Sequence, residues 1–342
     1  MPFKIIICSN FDHMSEVSSR IVISEIKANL IKKDRYVLGL ATGNSPTGLY
    51  KHLAKAANAG EFDSSKLQSF NLDEYIGLPG ENPQQRVLHP ESYSYFMVQE
   101  FFGLLNKKFI ETNVPWGTLI DQDIFISELR SNPADWYEQG TDRGKAVIIK
   151  KDGKSEYLKW VKNEVQDAYV EKIERNGGID LQIIGVGGRG HVAFHESGIP
   201  FKNNRMLLVK LDDNTIINAV QDGHFPDKEQ SPQYALSMGA NQVYKARTVI
   251  LLANGARKSD PVAESVLKDP SPDVPISYGQ IYSGNGGRMV YVLDREAATG
   301  LMENMSLVQE RKIQIEDISN QTASTKVEDL MFYRNPETCR IV

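Results

Sequence analysis

The sequence lacks three features that mark large classes of protein. Only two of its 342 residues are cysteines, Cys8 and Cys339, and they are too far apart, in unlike contexts, to suggest a disulfide framework. No stretch approaches the ~18 consecutive apolar residues of a membrane-spanning helix. The apolar run at residues 5–8 is too short for a secretory signal and indicates a first buried strand. We therefore expect a cytoplasmic protein without a membrane partner.

Positive charge is not in excess either. Lysine and arginine total 39 against 44 aspartates and glutamates, which gives a formal net charge of −5. No run of five like charges occurs, so we expect no nucleic-acid partner. With 41% hydrophobic residues, the chain can build one large globular domain or two smaller ones.

Apolar segments rich in β-branched residues alternate with segments of helical periodicity. Several of these apolar segments are nearly continuous, which is typical of strands buried on both faces of a parallel sheet. The predicted strands are residues 4–8, 36–40, 179–186, 206–211, 248–252 and 289–293, and the clearest helices are residues 15–33 and 155–175. The alternation predicts an α/β fold with an open, mostly parallel, doubly wound (Rossmann-like) sheet and helices on both faces.

Two regions are interpreted as additions to this core. Residues from about 115 to 155 have little periodicity and several Gly and Pro turn signals, and the segment from 301 to 342 is largely polar. We therefore predict one α/β domain over residues 1–300, with an insertion near 115–155 and a C-terminal extension over 301–342. Both additions are compatible with surface decoration or with a homo-oligomer.

Ligands of open α/β sheets bind beyond the carboxyl ends of the strands, so the loops after strands hold the candidate binding residues. The loop at residues 42–46 reads Thr-Gly-Asn-Ser-Pro, in which Ser45 is a predicted helix N-cap and Pro46 a first helical residue. Glycine lets the backbone approach a ligand closely, and the free amides and dipole of a helix N-terminus favour an anion. An ordinary capped turn explains this loop equally well.

Asp73 and Glu74 follow an apolar run that ends near Leu72. A carboxylate in this position can act as a general base if burial raises its pKa toward the working pH. A solvated acidic turn is the alternative interpretation, and the spacing alone does not exclude it.

The glycine-rich segment 185–196 reads Gly-Val-Gly-Gly-Arg-Gly-His-Val-Ala-Phe-His-Glu. Its first part matches Gly-x-Gly-x-x-Gly, but Gly198 and Pro200 interrupt the long helix that a dinucleotide-binding site requires, so we expect no such cofactor. His191 and Glu196 instead suit a proton shuttle whose histidine is held by a carboxylate. A metal shared with His195 is disfavoured, because no remote ligand stands out.

A lysine follows the predicted strand 248–252. Lys258 lies in the segment Asn-Gly-Ala-Arg-Lys-Ser at residues 254–259, just before a predicted helix. Its position suits a phosphate or carboxylate group. Taken alone, it is equally a surface lysine.

Together these segments resemble the glucosamine-6-phosphate deaminase (isomerase) family, from the first strand to about residue 295. The most specific stretch is Phe-Asn-Leu-Asp-Glu-Tyr-Ile-Gly-Leu at residues 70–78, followed by His-Pro-Glu-Ser-Tyr at residues 89–93. The related 6-phosphogluconolactonases share the fold and the glycine-rich loop, but would carry Asp-Glu-Arg where this chain has Asp-Glu-Tyr. The resemblance therefore favours the deaminases.

The resemblance implies conversion of glucosamine 6-phosphate and water to fructose 6-phosphate and ammonia, without a redox cofactor. It assigns Asp73 as the base at C2, His191 to ring opening and Glu196 to orienting His191. The implied phosphate ligands are Thr42, Gly43, Asn44, Ser45 and Lys258.

Two departures from the family pattern leave alternatives open. Arg189 stands where the family usually has an aspartate, which removes an orienting partner of His191. The phosphate-binding arginine of the family falls near Thr215 and Ile216, where this chain has no cation. Arg189 is one candidate for that missing charge. The alternatives are a deaminase for another sugar such as galactosamine 6-phosphate, a lactonase-like hydrolase, and a sugar-phosphate-binding relative without turnover.

Overall fold

The computed structural model describes residues 4–202, 204–221 and 223–321. Its strands are β1 (Lys4–Cys8), β2 (Tyr36–Leu40), β3 (Leu67–Asn71), β4 (Asp73–Ile76), β5 (Glu111–Asn113), β6 (Trp136–Thr141), β7 (Gly144–Ile149), β8 (Leu181–Ile184), β9 (Met206–Lys210), β10 (Tyr234–Met238), β11 (Thr248–Ala253), β12 (Arg288–Asp294) and β13 (Gln314–Asp317).

The helices connect these strands and cover the sheets. They are α1 (Phe11–Leu30), α2 (Thr47–Asn58), α3 (Pro83–Val87), α4 (Tyr93–Glu100), α5 (Gln122–Ser131), α6 (Glu156–Trp160), α7 (Ala168–Arg175), α8 (Asp213–Gln221), α9 (Ala240–Val243), α10 (Ser259–Leu267), α11 (Tyr278–Gly284), α12 (Arg295–Met302) and α13 (Met305–Glu310). A π-helical segment, Val161–Asp167, joins α6 to α7. In the described part of the chain, no helix is long and apolar enough to cross a membrane.

The larger sheet has eight strands in the order β13-β1-β12-β11-β8-β2-β3-β5, and all its neighbours pair in parallel. Its two faces are covered by different apolar cores. Along β1, Ile5 and Ile7 enter one core, whereas Ile6 enters the other. Burial on both faces explains why the strand segments are nearly continuous apolar runs. The predicted α/β class with a mostly parallel, doubly wound sheet is confirmed.

The smaller sheet has five strands in the order β4-β10-β9-β7-β6, and all its pairs are antiparallel. The segment 206–211, predicted as a parallel strand, forms β9 in this second sheet. Apolar runs mark burial on two faces but do not reveal strand direction. Here β9 packs Leu208 toward the shared core and Leu207 toward a third apolar cluster on the far face.

The two regions interpreted as additions take part in these sheets. Residues 136–149 form the β6–β7 hairpin, and β7 pairs with β9. Beyond residue 300, β13 pairs in parallel with β1 at the edge of the larger sheet. Cys339 and the remainder of the segment from 322 to 342 lie outside the described residues.

The larger sheet reverses its winding direction between β2 and β8. The chain proceeds from β2 to β3 on one side, and from β8 to β11 and β12 on the other. Loops that leave adjacent strands in opposite directions open a crevice at the carboxyl edge of the sheet. The loops after β2 and β8 are the Thr-Gly-Asn-Ser-Pro segment and the glycine-rich segment, so both meet at this crevice.

Candidate active site

The crevice contains a cavity of about 260 Å³. This is close to the lower end, ~300 Å³, of typical small-molecule sites. Four adjacent strands contribute to its wall through the segments that follow β2, β3, β8 and β11. Among the predicted site residues, the wall contains Thr42, Gly43, Asn44, Ser45, Asp73, His191 and Lys258.

The loop after β2 is fixed by two contacts of different kinds. The Tyr50 hydroxyl of α2 donates to the Ala41 carbonyl at 2.6 Å and accepts from the Ala41 amide at 3.1 Å. The Ser45 hydroxyl donates to Asn254 Oδ1 at 2.7 Å, which ties this loop to the loop after β11. The prediction of Ser45 as a helix N-cap is wrong, because α2 begins at Thr47 and Pro46 occupies the cap.

Asp73 lies where the chain crosses from the larger sheet to the smaller one. It is the first residue of β4, only Leu72 separates it from β3, and its exposed fraction is 5%. Its carboxylate accepts no hydrogen bond from the residues that the structure describes. Burial raises the pKa of Asp73 well above its usual value, and the neighbouring Glu74 carboxylate adds to the effect. The solvated acidic turn is therefore excluded at this position.

Glu74 has a different environment from its neighbour. Its oxygens accept from the Tyr93 amide at 3.0 Å, the Ser94 amide at 3.2 Å and the Ser92 hydroxyl at 2.8 Å. Ser92 makes no side-chain cap bond of its own, so Glu74 caps the N-terminus of α4 from a distant strand. Burial raises the pKa of Glu74 to about 7, although these hydrogen bonds oppose the shift. This contact joins the stretch 70–78 to the stretch 89–93 in the folded protein.

A tight turn brings His191 and Glu196 together. Val192 and His195 form an isolated antiparallel bridge, and Ala193 between them has a left-handed φ of 52°. The residues that flank this bridge therefore face each other, and His191 Nδ1 lies 3.1 Å from Glu196 Oε2. An ionised carboxylate only accepts hydrogen bonds, so Nδ1 carries the proton and Nε2 remains available for chemistry.

Gly187 provides the space for the His191 ring. A Cβ atom built on Gly187 would overlap the imidazole, with Nε2 as its nearest neighbour. At the adjacent Gly188, the nearest atom to such a Cβ is the Asn218 side-chain nitrogen at 3.9 Å. The second glycine of the Gly-x-Gly-x-x-Gly pattern thus accommodates a histidine, which differs from its role in a dinucleotide-binding loop.

Glu196 has a second partner that sequence reasoning missed. The Thr215 hydroxyl donates to Glu196 Oε1 at 2.6 Å. The sequence analysis names Thr215 only because the family's cation is missing near it. No local pattern predicts its contact with Glu196, which is 19 residues away in the chain.

His195 is a buried structural residue. Its Nδ1 accepts from the Ala240 amide at 3.0 Å, and its Nε2 lies 2.9 Å from the Ile199 carbonyl. Burial lowers the pKa of His195 to about 4, which keeps the ring neutral. Within the described ranges, no group of histidine, cysteine or acidic side chains could hold a metal ion.

Arg189 and Lys258 differ in their relation to the cavity. Lys258 lines the cavity and immediately precedes α10. Arg189 does not line it; it lines a neighbouring cavity of about 900 Å³, and its guanidinium pairs with Asp212 at 2.8 Å. The Arg189 side chain is thus paired with a carboxylate outside the wall of the smaller cavity.

Comparison with known proteins identifies relatives that match this chain over most of its length. A protein of Clostridium acetobutylicum named glucosamine-6-phosphate deaminase is 33% identical over 295 residues, which is 86% of this chain and 98% of the relative. A Thermoanaerobacter (strain X514) protein of the same name is 33% identical over 296 residues, 86% of this chain and 94% of that protein. No family model matches the sequence.

Solved structures agree with this result. A monomeric glucosamine-6-phosphate deaminase superposes with a TM-score of 0.65 at 26% identity, covering 87% of this chain and all of that one. The 6-phosphogluconolactonase of Trypanosoma cruzi gives a TM-score of 0.56 at 20% identity, with 88% and 98% of the two chains covered, and shows the shared fold alone. The identity and coverage of the deaminase matches show that the chain belongs to the glucosamine-6-phosphate deaminase family.

Proposed function

We propose that this protein converts glucosamine 6-phosphate and water to fructose 6-phosphate and ammonia in the cavity at the carboxyl edge of the larger sheet. One observation carries the proposal. A buried carboxylate without hydrogen-bond partners in the described chain, an imidazole that is itself paired with a carboxylate, and a lysine border the same small cavity. These are the groups that proton transfer on a phosphorylated sugar requires.

The phosphate binds at the end of the cavity formed by the loop after β2 and by Lys258. Gly43, with a φ of 93°, gives this loop a backbone conformation that other residues rarely adopt. Backbone amides near the start of α2 and the Lys258 ammonium then surround the dianion, together with the Ser45 hydroxyl once it turns from Asn254 Oδ1 to donate to the phosphate. Binding the phosphate here positions C1 and C2 of the sugar against Asp73 and His191.

His191 catalyses ring opening. Its Nε2 takes the proton of the C1 hydroxyl and returns a proton to the ring oxygen, which breaks the C1–O5 bond and yields the open-chain aldehyde. The imidazolium that forms during this step is stabilised by Glu196, whose carboxylate lies 3.1 Å from Nδ1. The contact between Nδ1 and Glu196 also fixes the orientation of the imidazole ring.

Asp73 then moves the proton from C2 to C1. The 2-ammonium group of the substrate, when bound nearby, favours the ionised carboxylate and opposes the effect of burial on its pKa. Removal of the C2 proton, with transfer of a proton from the 2-ammonium group to the C1 carbonyl oxygen, gives an enolamine, and return of the C2 proton at C1 gives an iminium at C2. Water then adds at C2 and ammonia leaves, which gives fructose 6-phosphate.

Arg189 does not interfere with this scheme, because it is not part of the cavity wall. The exchange of the family's usual aspartate therefore changes no group that faces the substrate. An active enzyme is therefore favoured over a binding protein without turnover.

Parallel reactions test the proposal. Purified protein is incubated with glucosamine 6-phosphate, galactosamine 6-phosphate or 6-phosphogluconolactone, and products are identified by mass spectrometry. We expect ammonia and a hexulose phosphate from the amino sugar. Faster hydrolysis of the lactone, or binding of all three compounds without any product, would overturn the proposal.

A further inference from the structure

Both oxygens of the Glu196 side chain are engaged. Oε2 contacts His191 Nδ1 at 3.1 Å, and Oε1 accepts from the Thr215 hydroxyl at 2.6 Å. Glu196 has an exposed fraction of 3%, so water has little access to replace either partner. In the described chain, these two side chains are its hydrogen-bond partners. Loss of the hydroxyl would free one oxygen and allow the carboxylate to rotate away from His191.

The packing at the base of the Glu196 side chain includes a glycine. Gly144, at the start of β7, lies against Glu196 Cβ, and a side chain at Gly144 would overlap that atom. The glycine therefore supports the base of the Glu196 side chain but offers no polar contact to its carboxylate. The polar contacts that orient the two oxygens are the hydrogen bonds to His191 and Thr215.

An ion pair near Thr215 joins the start of α8 to the loop that carries His191 and Glu196. Thr215 lies in the first turn of α8, where the Ile216 amide donates to the Asp212 carbonyl at 3.0 Å. The Asp212 carboxylate pairs with Arg189 at 2.8 Å, and Arg189 belongs to the loop that also carries His191 and Glu196. The loop is thus fastened to the start of α8 at two points.

We infer that Thr215 is a positioning residue that holds Glu196 against His191, and that the Arg189–Asp212 ion pair positions the turn that carries Thr215. This inference rests on the proposed function and assigns a role to Arg189 that does not involve the phosphate. The cation that replaces the family's usual aspartate acts on His191 through α8, instead of through a direct contact.

Two substitutions of similar size test the role of Thr215. Thr215→Val removes the hydroxyl and keeps the branched shape, whereas Thr215→Ser keeps the hydroxyl. A hydrogen bond to a charged group corresponds to about 10- to 100-fold in rate. We expect kcat with glucosamine 6-phosphate to fall by about that factor in Thr215→Val, with KM within about two-fold, and to be largely retained in Thr215→Ser. Equal losses in both variants, or a change confined to KM, would overturn the inference.

A second readout does not depend on turnover. The Nδ1 proton of His191, assigned in ¹⁵N-edited NMR spectra by comparison with His191→Gln, should exchange slowly in the wild type and in Thr215→Ser. It should exchange about 10-fold faster or more in Thr215→Val, because the carboxylate is no longer fixed. Equal exchange in all three proteins would refute the positioning role, even if the wild type releases no ammonia and the proposed function itself is wrong.

The ion pair has its own test. Arg189→Met and Asp212→Asn should each lower kcat by about 3- to 10-fold, a modest loss because the pair is partly exposed. The double variant should be no slower than the slower single variant, since both substitutions break one interaction. Independent, multiplying losses would show that the two residues act separately.

Discussion

We expect Asp73→Asn to lower the catalytic rate and to raise the stability of the fold. The variant keeps the shape of the side chain but removes the base. Loss of a positioned general base costs about 10²- to 10⁴-fold in rate, or ~3–5 kcal/mol of transition-state stabilisation at ~1.4 kcal/mol per decade. No neighbour replaces it, because the Glu74 oxygens are occupied by donors from Tyr75, Ser92, Tyr93 and Ser94. We therefore expect kcat to fall by at least 100-fold.

The same variant should be more stable than the wild type at neutral pH. Burial raises the pKa of Asp73 in the folded state, so this carboxyl binds its proton more tightly when folded than when unfolded. Its contribution to stability is therefore present at low pH and is lost as the pH rises above its ordinary value near 4. Asparagine carries no charge and costs less to bury at this position.

The assay combines steady-state kinetics with thermal unfolding at pH 7, using Glu74→Gln as the matched control. Glu74→Gln should lower Tm, because an amide nitrogen replaces an oxygen that caps α4. Asp73→Asn should raise Tm, abolish most turnover and leave inhibition by inorganic phosphate unchanged. A lower Tm together with weaker phosphate binding would show that Asp73 supports the structure and would refute its role as the base.

Three further predictions concern the rest of the site. Gly187→Ala should lower kcat about 100-fold by displacing the His191 ring, whereas Gly188→Ala, whose added methyl meets no atom closer than 3.9 Å, should remain near wild type in the same assay. Lys258→Met should raise KM about 10- to 100-fold, as expected for a lost charged contact of ~1.5–3 kcal/mol, and unchanged inhibition by phosphate would contradict its role. The pKa of His195 is lowered to about 4, so the unfolded chain binds the proton first as the pH falls. The free energy of unfolding should then decrease between about pH 6.5 and pH 4, by on the order of 3 kcal/mol, in denaturant titrations, and His195→Gln should lack that decrease.

Much of the larger sheet follows from the sequence, because its strands are buried on both faces and therefore form apolar runs. β1 and β2 occupy the predicted residues, and β11 and β12 differ from prediction only at their ends. The smaller sheet gives a weaker signal. β6 is mostly exposed and has no apolar alternation, and β4 begins with two carboxylates, which are disfavoured in strands.

The site residues likewise fall into those that the sequence predicts and those that it does not. Local sequence predicts the residues that lie near a strand end or in a tight turn, such as Asp73 and His191. Both of these residues line the cavity. The partners of Glu74 and the contact between Glu196 and Thr215 are tertiary, so no periodicity predicts them. The side chain of Arg189 is only two residues from His191, yet it pairs with Asp212 outside the cavity.

The most direct test of the proposed reaction uses glucosamine 6-phosphate labelled with deuterium at C2. We expect the wild type to release ammonia and fructose 6-phosphate in equal amounts, more slowly than from unlabelled substrate. Part of the deuterium should appear at C1, because the buried Asp73 carboxyl exchanges slowly with solvent. Absence of both products, or ammonia without a ketose phosphate, would contradict the assignment of this cavity as a deaminase site.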